Sequence, residues 1–292
     1  AHYLPVVTAA VELLCSRKAP MNPADLMDQC IRTWPPGSRT RQIRAQSLAQ
    51  FLRFGVHRAG LPVLWVPPSE LRQHVGTKSR EAASATQKGD PFTDQQILNL
   101  IDGLPQNEAG CRWADSVRLM AELGLRPIEL LHLTIRADSA TREPYWWCTY
   151  RKRSGGGSTD SRRLFPLPLI GEDGQASSWN LMQRWQANLI ELPPLNSGNS
   201  PADCIKTYLS RQQSWKSLRQ VMAANAQRAV PYSFRHSYSL RGHQRGIDAG
   251  SMAQAMGHSF EVHCRSYPWA SAAGTIAAFQ RANAAVALAS IA

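Results

Sequence analysis

The sequence predicts a mainly α-helical chain with a small antiparallel sheet, divided between a helical N-terminal domain and a larger second domain. Three observations carry this reading. Apolar residues recur at helical spacing through most of the chain, as in Val6, Ala9, Ala10, Leu13 and Leu14 or in Trp215, Leu218, Val221 and Met222, the period of a helix with one buried face. Two short runs depart from that period. Residues 145–150 (YWWCTY) are rich in aromatics and Thr, residues 162–167 (RRLFPL) alternate toward a proline, and a glycine-rich basic tract joins them, so they read as a hairpin with a long loop. Residues 76–91 (GTKSREAASATQKGDP) lose the apolar period altogether and read as an interdomain linker.

The expected division is therefore 1–75, a linker over 76–91, and 92–292. With 292 residues each domain is long enough to bury its own core. The formal net charge of +12 points to a polyanionic partner. Residues 1–90 hold 12 Lys and Arg against 6 Asp and Glu, so the first domain is the stronger grip on phosphates. Within it, Asn22, Pro23 and Asp25 start a second helix carrying Leu26, Met27, Cys30 and Ile31, which Pro35-Pro36-Gly37 ends. A third helix begins at Ser38, lined by Ala45, Leu48, Leu52 and Val56, with Arg39, Arg41 and Arg44 in its first turns. Arginines beside the free amides of a helix start suit a DNA phosphate; a solvated charged face is the competing reading.

In the second domain, Thr93 or Asp94 caps a helix bearing Ile97, Leu98 and Ile101. Residues 121–133 (AELGLRPIELLHL) read as the approach to a helix with Arg126 at its start. The hairpin follows, its loop carrying Arg151, Lys152 and Arg153. Trp179, Leu181, Met182 and Trp185, then a helix from about Cys204, continue the apolar stripes, and these tryptophans read as core. Six scattered cysteines without a CxxC pair fit a reduced, cytoplasmic setting. The Ala-rich residues 271–292 carry Arg281 near their middle, where a bilayer would charge about 2.5–3.5 kcal/mol; they read as a packing helix and not a membrane span. The chain begins at Ala1 rather than Met, which leaves room for a preceding segment.

One window concentrates reactive side chains. From Tyr232 to Tyr267 stand Arg235 with Tyr232 and His236 beside it, Gly246, the pair Gly257-His258, and a terminal tyrosine. The separations 246−235, 257−246 and 267−258 are 11, 11 and 9. Earlier, Gly124, Arg126, Glu129, Leu130 and Leu133 fit Gly-x-Arg-x-x-Glu-Leu-x-x-Leu. Together these motifs resemble the tyrosine recombinase (phage integrase) family over residues 92–269, and only generically before that. One position departs: Tyr232 stands where the family usually has His. His258, His263 and Cys264 also lie close, but lack the paired spacing of a structural zinc site.

The resemblance implies a recombinase-like catalytic domain behind a helical core-binding domain, acting on double-stranded DNA without metal or nucleotide cofactor. A tyrosine hydroxyl would attack a phosphodiester and keep the phosphate in a covalent relay, so that bond energy is conserved. Tyr267 would be this nucleophile. Arg126 and Arg235 would hold the nonbridging oxygens, whose geometry guanidinium forks match. By the same resemblance Lys152 would protonate the leaving 5′ oxygen, with Arg151 or Arg153 able to share its place, and His258 would hydrogen-bond the phosphate. Tyr232 shares a helix face with Arg235, yet a neutral phenol is a poor base; His236, about 100° round the helix, reads as structural or as its substitute. The family also implies a homotetramer on paired sites, coupled by the C-terminal segment unless that segment packs on its own domain, and admits an accessory directionality protein. A topoisomerase, a telomere resolvase and a catalytically impaired DNA-binding homologue are the alternative readings, the last suggested by Tyr232.

Overall fold

A computed structural model of the chain describes residues 3–77, 89–154 and 157–267, with the backbone alone for 153, 154, 157 and 158. The residues divide into two compact units, 1–87 and 88–292. The expected C-terminal packing helix, most of the linker and the Arg153 side chain lie outside the described residues.

The first unit contains α1 (Leu4–Leu14), α2 (Pro23–Ile31), α3 (Arg39–Arg58) and α4 (Leu71–Val75). Two helix starts follow from their caps: Asn22 Oδ1 accepts from the Asp25 amide at 2.8 Å, and Ser38 Oγ from the Arg41 amide at 3.1 Å. Such a cap is worth about 1 kcal/mol. The apolar stripes meet in a core where Val6, Leu26, Ile31, Leu48 and Leu52 are fully buried, each worth roughly 1.5–3 kcal/mol.

The second unit begins with α5 (Asp94–Asp102), capped reciprocally by Thr93 and Gln96, and α6 (Glu108–Leu123). The expected helix after Arg126 is not an α-helix. Gly124 ends α6 in the left-handed conformation (φ 64°), where an added Cβ would stand 2.4 Å from the Tyr238 ring. Pro127 then opens a 3₁₀ turn, Pro127–His132, and Leu133 starts a strand that the apolar count had merged into a helix. The sheet therefore has three strands. Strand β1 (Leu133–Ala137) pairs antiparallel with β2 (Pro144–Cys148), and β2 with β5 (Arg162–Arg163); between them, β3 (Arg153–Ser154) and β4 (Gly157–Ser158) form a ribbon inside the basic loop.

Helices α7 (Leu181–Gln186), α8 (Pro201–Arg211) and α9 (Gln213–Ala224) pack their apolar faces onto the same core as Phe92, Ile97 and Trp146. Through the unit runs α10 (Ser233–Gln244), followed by α11 (Ala249–Met256) and α12 (Phe260–Ser266). Helix α10 has no solvent face over most of its length: Phe234, Arg235, His236, Ser237, Tyr238, Ser239 and Arg241 are all buried. A polar residue inside a core must be partnered. Ser237 Oγ accepts from the Phe92 amide at 2.7 Å and donates to the Ser233 carbonyl, while Arg241 grips Asp94 at 2.8 Å and the Ala121 and Leu167 carbonyls at 3.0 Å. So many buried polar groups on one helix are costly for stability alone, which directs attention to what they hold.

Candidate active site

At the centre lies a carboxylate. Glu129 is fully buried in the 3₁₀ turn and gathers three guanidinium groups from separate parts of the chain. Arg126 Nη1 donates to Oε1 at 2.6 Å, Arg162 donates to both oxygens at 3.0 Å, and Arg235 Nη1 stands 3.6 Å from Oε2. Burial works to raise the Glu129 carboxyl, but the charges of Arg235, Arg162 and Arg126 and the Arg162 hydrogen bond hold it at about 2. One carboxylate among three arginines leaves the cluster cationic, a charge ready for an anion.

Helix ends fix these arginines. Arg235 Nη1 donates to the Gly124 carbonyl at 2.6 Å and Nη2 to the Met256 carbonyl; Arg126 Nη2 reaches the Gly257 carbonyl at 3.3 Å, and Arg162 Nε the Ala255 carbonyl at 2.8 Å. The acceptors belong to the C-terminal turns of α6 and α11, where carbonyls lack intrahelical partners and carry the negative end of the helix dipole. Gly257 ends α11 in the left-handed conformation (φ 65°), and a Cβ there would press on Arg162 at 2.9 Å. The motif glycines thus close the helices so that the carbonyls face the arginines.

Tyr267 enters this cluster from the end of α12. It is 2 % exposed, lies within reach of the Arg235 charge, and its ring packs on His236, His258 and His263 at centroid distances of 5.4, 5.7 and 4.8 Å. Burial raises the phenol pKa above its ordinary value, with the Arg235 charge opposing. His258 is held well below the imidazole range, at about 3, by burial and by Arg235, His263, Arg126 and Arg162. Its Nε2 lies 2.8 Å from His263 Nδ1.

Tyr232 caps α10 and is 37 % exposed. His236, expected to face away, stands between two phenols, its ring 5.1 Å from Tyr232 and against Tyr267. A cavity of about 460 Å³ opens beside the cluster, lined by Arg126, Tyr150, Lys152, Lys206 and Tyr232 among others. Lys152 sits at its edge, its backbone paired with Thr159 across the base of the loop. Arg151 is exposed on the same loop.

In the first unit, Arg39 is exposed and donates to Gln42 at 2.7 Å, and Arg44 stacks 5.4 Å from the Trp34 ring centroid. Arg41 turns inward instead. Its guanidinium donates to the Trp34 carbonyl at 3.1 Å and to the His74 carbonyl at 2.8 and 3.1 Å, so it pins α3 to the segments beside it and is not presented to a phosphate.

Sequence reasoning missed Arg162, Lys206 and His243, and weighed His263 only as a zinc ligand. Strand alternation was the available signal for Arg162: in the pair Arg162-Arg163 one side chain must point inward. Among the described residues no cluster of three or more His, Cys, Asp or Glu could hold a metal ion, and no helix is long and apolar enough to cross a membrane.

No family model matches the chain, and no curated protein does. Solved structures do. The Tn1549 transposon integrase in complex with a circular intermediate DNA is 13% identical, covering 93% of this chain and 90% of its own, with a TM-score of 0.50. The XerH site-specific recombinase bound to palindromic difH substrate is 13% identical over 96% of this chain and 71% of its own, with a TM-score of 0.45. The first of these likenesses, with the helical catalytic unit and three-stranded sheet described above, establishes that this chain has the fold of the tyrosine recombinases.

Proposed function

We propose that the protein is a site-specific DNA recombinase or integrase that cleaves and rejoins strands through a 3′-phosphotyrosyl intermediate. The observation that carries this reading is the convergence of Arg126, Arg162 and Arg235 on Glu129 with the buried Tyr267 phenol beside them, under the Arg235 charge. A phosphate entering there meets guanidinium donors fixed in advance, the arrangement that stabilises charge on nonbridging oxygens. Arg126 and Arg235 bind those oxygens, Arg162 sets the Glu129 carboxylate that aims them, and Lys152 protonates the departing 5′ oxygen from the cavity edge. Tyr232 lends a hydroxyl to the phosphate.

In the DNA-free arrangement the phenol occupies the anion's place on Arg235. It is buried and protonated, which fits a resting enzyme that DNA must open. Double-stranded DNA is the partner, gripped by the basic first unit and the loop bearing Arg151, Lys152 and Arg153; the Tn1549 integrase, whose fold the chain shares, is itself described bound to DNA. Strand exchange between two duplexes calls for a homotetramer on paired sites.

The test is a nicked duplex carrying the sequence that flanks the gene. On a denaturing gel the wild-type protein should form a DNA adduct that Tyr267→Phe does not form while still binding the duplex. An adduct that survives in the Tyr267→Phe variant would refute the nucleophile.

A further inference from the structure

Behind His258 lies a chain of imidazoles that the proposed chemistry has not used. His258 Nε2 is 2.8 Å from His263 Nδ1, His263 Nε2 is 2.9 Å from His243 Nε2, and His243 Nδ1 is 3.1 Å from the Ile247 carbonyl. His263 is fully buried and His243 nearly so. The rings follow one another at centroid distances of 5.1 Å.

The direction of the protons along this chain follows from its last member. A carbonyl can only accept, so His243 carries its proton on Nδ1 and offers Nε2 as an acceptor. His263 must then donate from Nε2 and accept at Nδ1. His258 in turn donates from Nε2. This ordering requires neutral rings, and burial together with His243 and Arg235 keeps His263 at about 4, while burial and the surrounding arginines hold His258 lower still.

The geometry points to His243 and His263 as positioning residues that fix His258 in one tautomer, its only N–H turned away from the phosphate site and its Nδ1 left as a proton acceptor. This inference rests on the recombinase reading and changes one role within it. In this tautomer His258 has no proton to give a phosphate oxygen. It serves instead as the base that a phenol at position 232 makes poorly. Burial and the charges of Arg235, Arg126 and Arg162 hold its basicity low without DNA, and it recovers as the incoming phosphate offsets those charges. In the cleavage step the Tyr267 O–H bond breaks and its proton moves to His258 Nδ1. The phenol oxygen bonds to phosphorus, and the P–O5′ bond breaks, the 5′ oxygen taking its proton from Lys152. Rejoining reverses each transfer, so no proton enters or leaves the site. Because the chain ends on a carbonyl and not in water, it orients His258 and does not carry its proton away, much as a carboxylate fixes the imidazole tautomer in a hydrolase triad.

Two measurements on the full chain test this. Nitrogen-15 spectra of histidine-labelled protein at neutral pH, without DNA, should show His258 protonated on Nε2 only and His243 on Nδ1 only; a His258 protonated on Nδ1 would overturn the assignment. Cleavage of the nicked duplex supplies the second. His263→Leu fills the space without an acceptor and should slow adduct formation about tenfold or more, up to the roughly 10²–10⁴ that a general base contributes. His263→Asn keeps an acceptor oxygen where Nδ1 stood and should recover most of that loss. If both folded variants cleave at the wild-type rate, or both are equally slow, the positioning role is wrong. Absence of any adduct in the wild type would count against the recombinase reading alone, since the spectra need no DNA.

Discussion

Replacing Glu129 with alanine probes the cluster most severely. Glu129 is 0 % exposed, and its removal would leave Arg235, itself 0 % exposed, with Arg162 and Arg126 nearly as buried, facing one another without a counter-charge. The displacement of the carboxyl from 4.5 to about 2 corresponds to roughly 3 kcal/mol, at about 1.4 kcal/mol for each tenfold in proton affinity. Breaking a buried pair by deleting one partner costs about 3–5 kcal/mol by independent reasoning, so the two figures agree. In a unit of this size the loss should lower the melting temperature by roughly 6–12 °C. Urea denaturation followed by tryptophan fluorescence is the assay, with Glu129→Gln as the variant that keeps shape without charge. A loss below about 1 kcal/mol, the value of an exposed ion pair, would mean that the arginines do not depend on this carboxylate, and the reasoning would fail.

Further expectations follow from the same geometry. Arg235→Ala and Arg126→Ala should each reduce single-turnover cleavage by about 10³–10⁵; retention of near-wild-type rates in a rapid-quench experiment would remove them from the site. Gly257→Ala forces a side chain into a left-handed residue and against Arg162, at a cost of at least about 1–2 kcal/mol, which thermal denaturation would detect; an unchanged melting temperature would contradict the close fit. Glu122 has its carboxyl raised to about 7 by burial, with Arg241 opposing. Because the folded value lies above the unfolded one, its stabilisation is complete below pH 4.5 and is lost as pH rises through 7. Glu122→Gln should therefore gain in melting temperature, relative to wild type, between pH 5 and pH 8, and a difference that stays flat would refute the shift.

Much of the candidate site was legible because its residues are local in sequence. Arg126 and Glu129 lie three apart, Arg235 and Tyr232 share a turn, and Gly257 and His258 are adjacent, so spacing alone brings each set together. The caps at Asn22, Ser38 and Thr93 were readable for the same reason, since a cap involves residues two or three apart. What escaped notice depends on distant segments meeting. Arg162 reaches Glu129 across 33 residues, and His243 reaches His263 across 20; strand alternation could turn Arg162 inward but could not name its partner. Strand β1 was hidden because Leu130, Leu131 and Leu133 suit a helical period until Gly124 and Pro127 break the helix and Trp146 supplies a partner for Ile135. Arg41 shows the converse error: charge at a helix start suggested a ligand outside, while the Trp34 and His74 carbonyls wait inside.

In the proposed reaction the Tyr267 oxygen becomes bonded to DNA. Trapping wild-type protein on a nicked duplex, digesting both components and sequencing the modified peptide by mass spectrometry tests this directly. The expected product is the peptide containing Tyr267 joined to a 3′-phosphate, with a free 5′ hydroxyl on the released strand. Attachment at another residue, or through a 5′-phosphate, would contradict it.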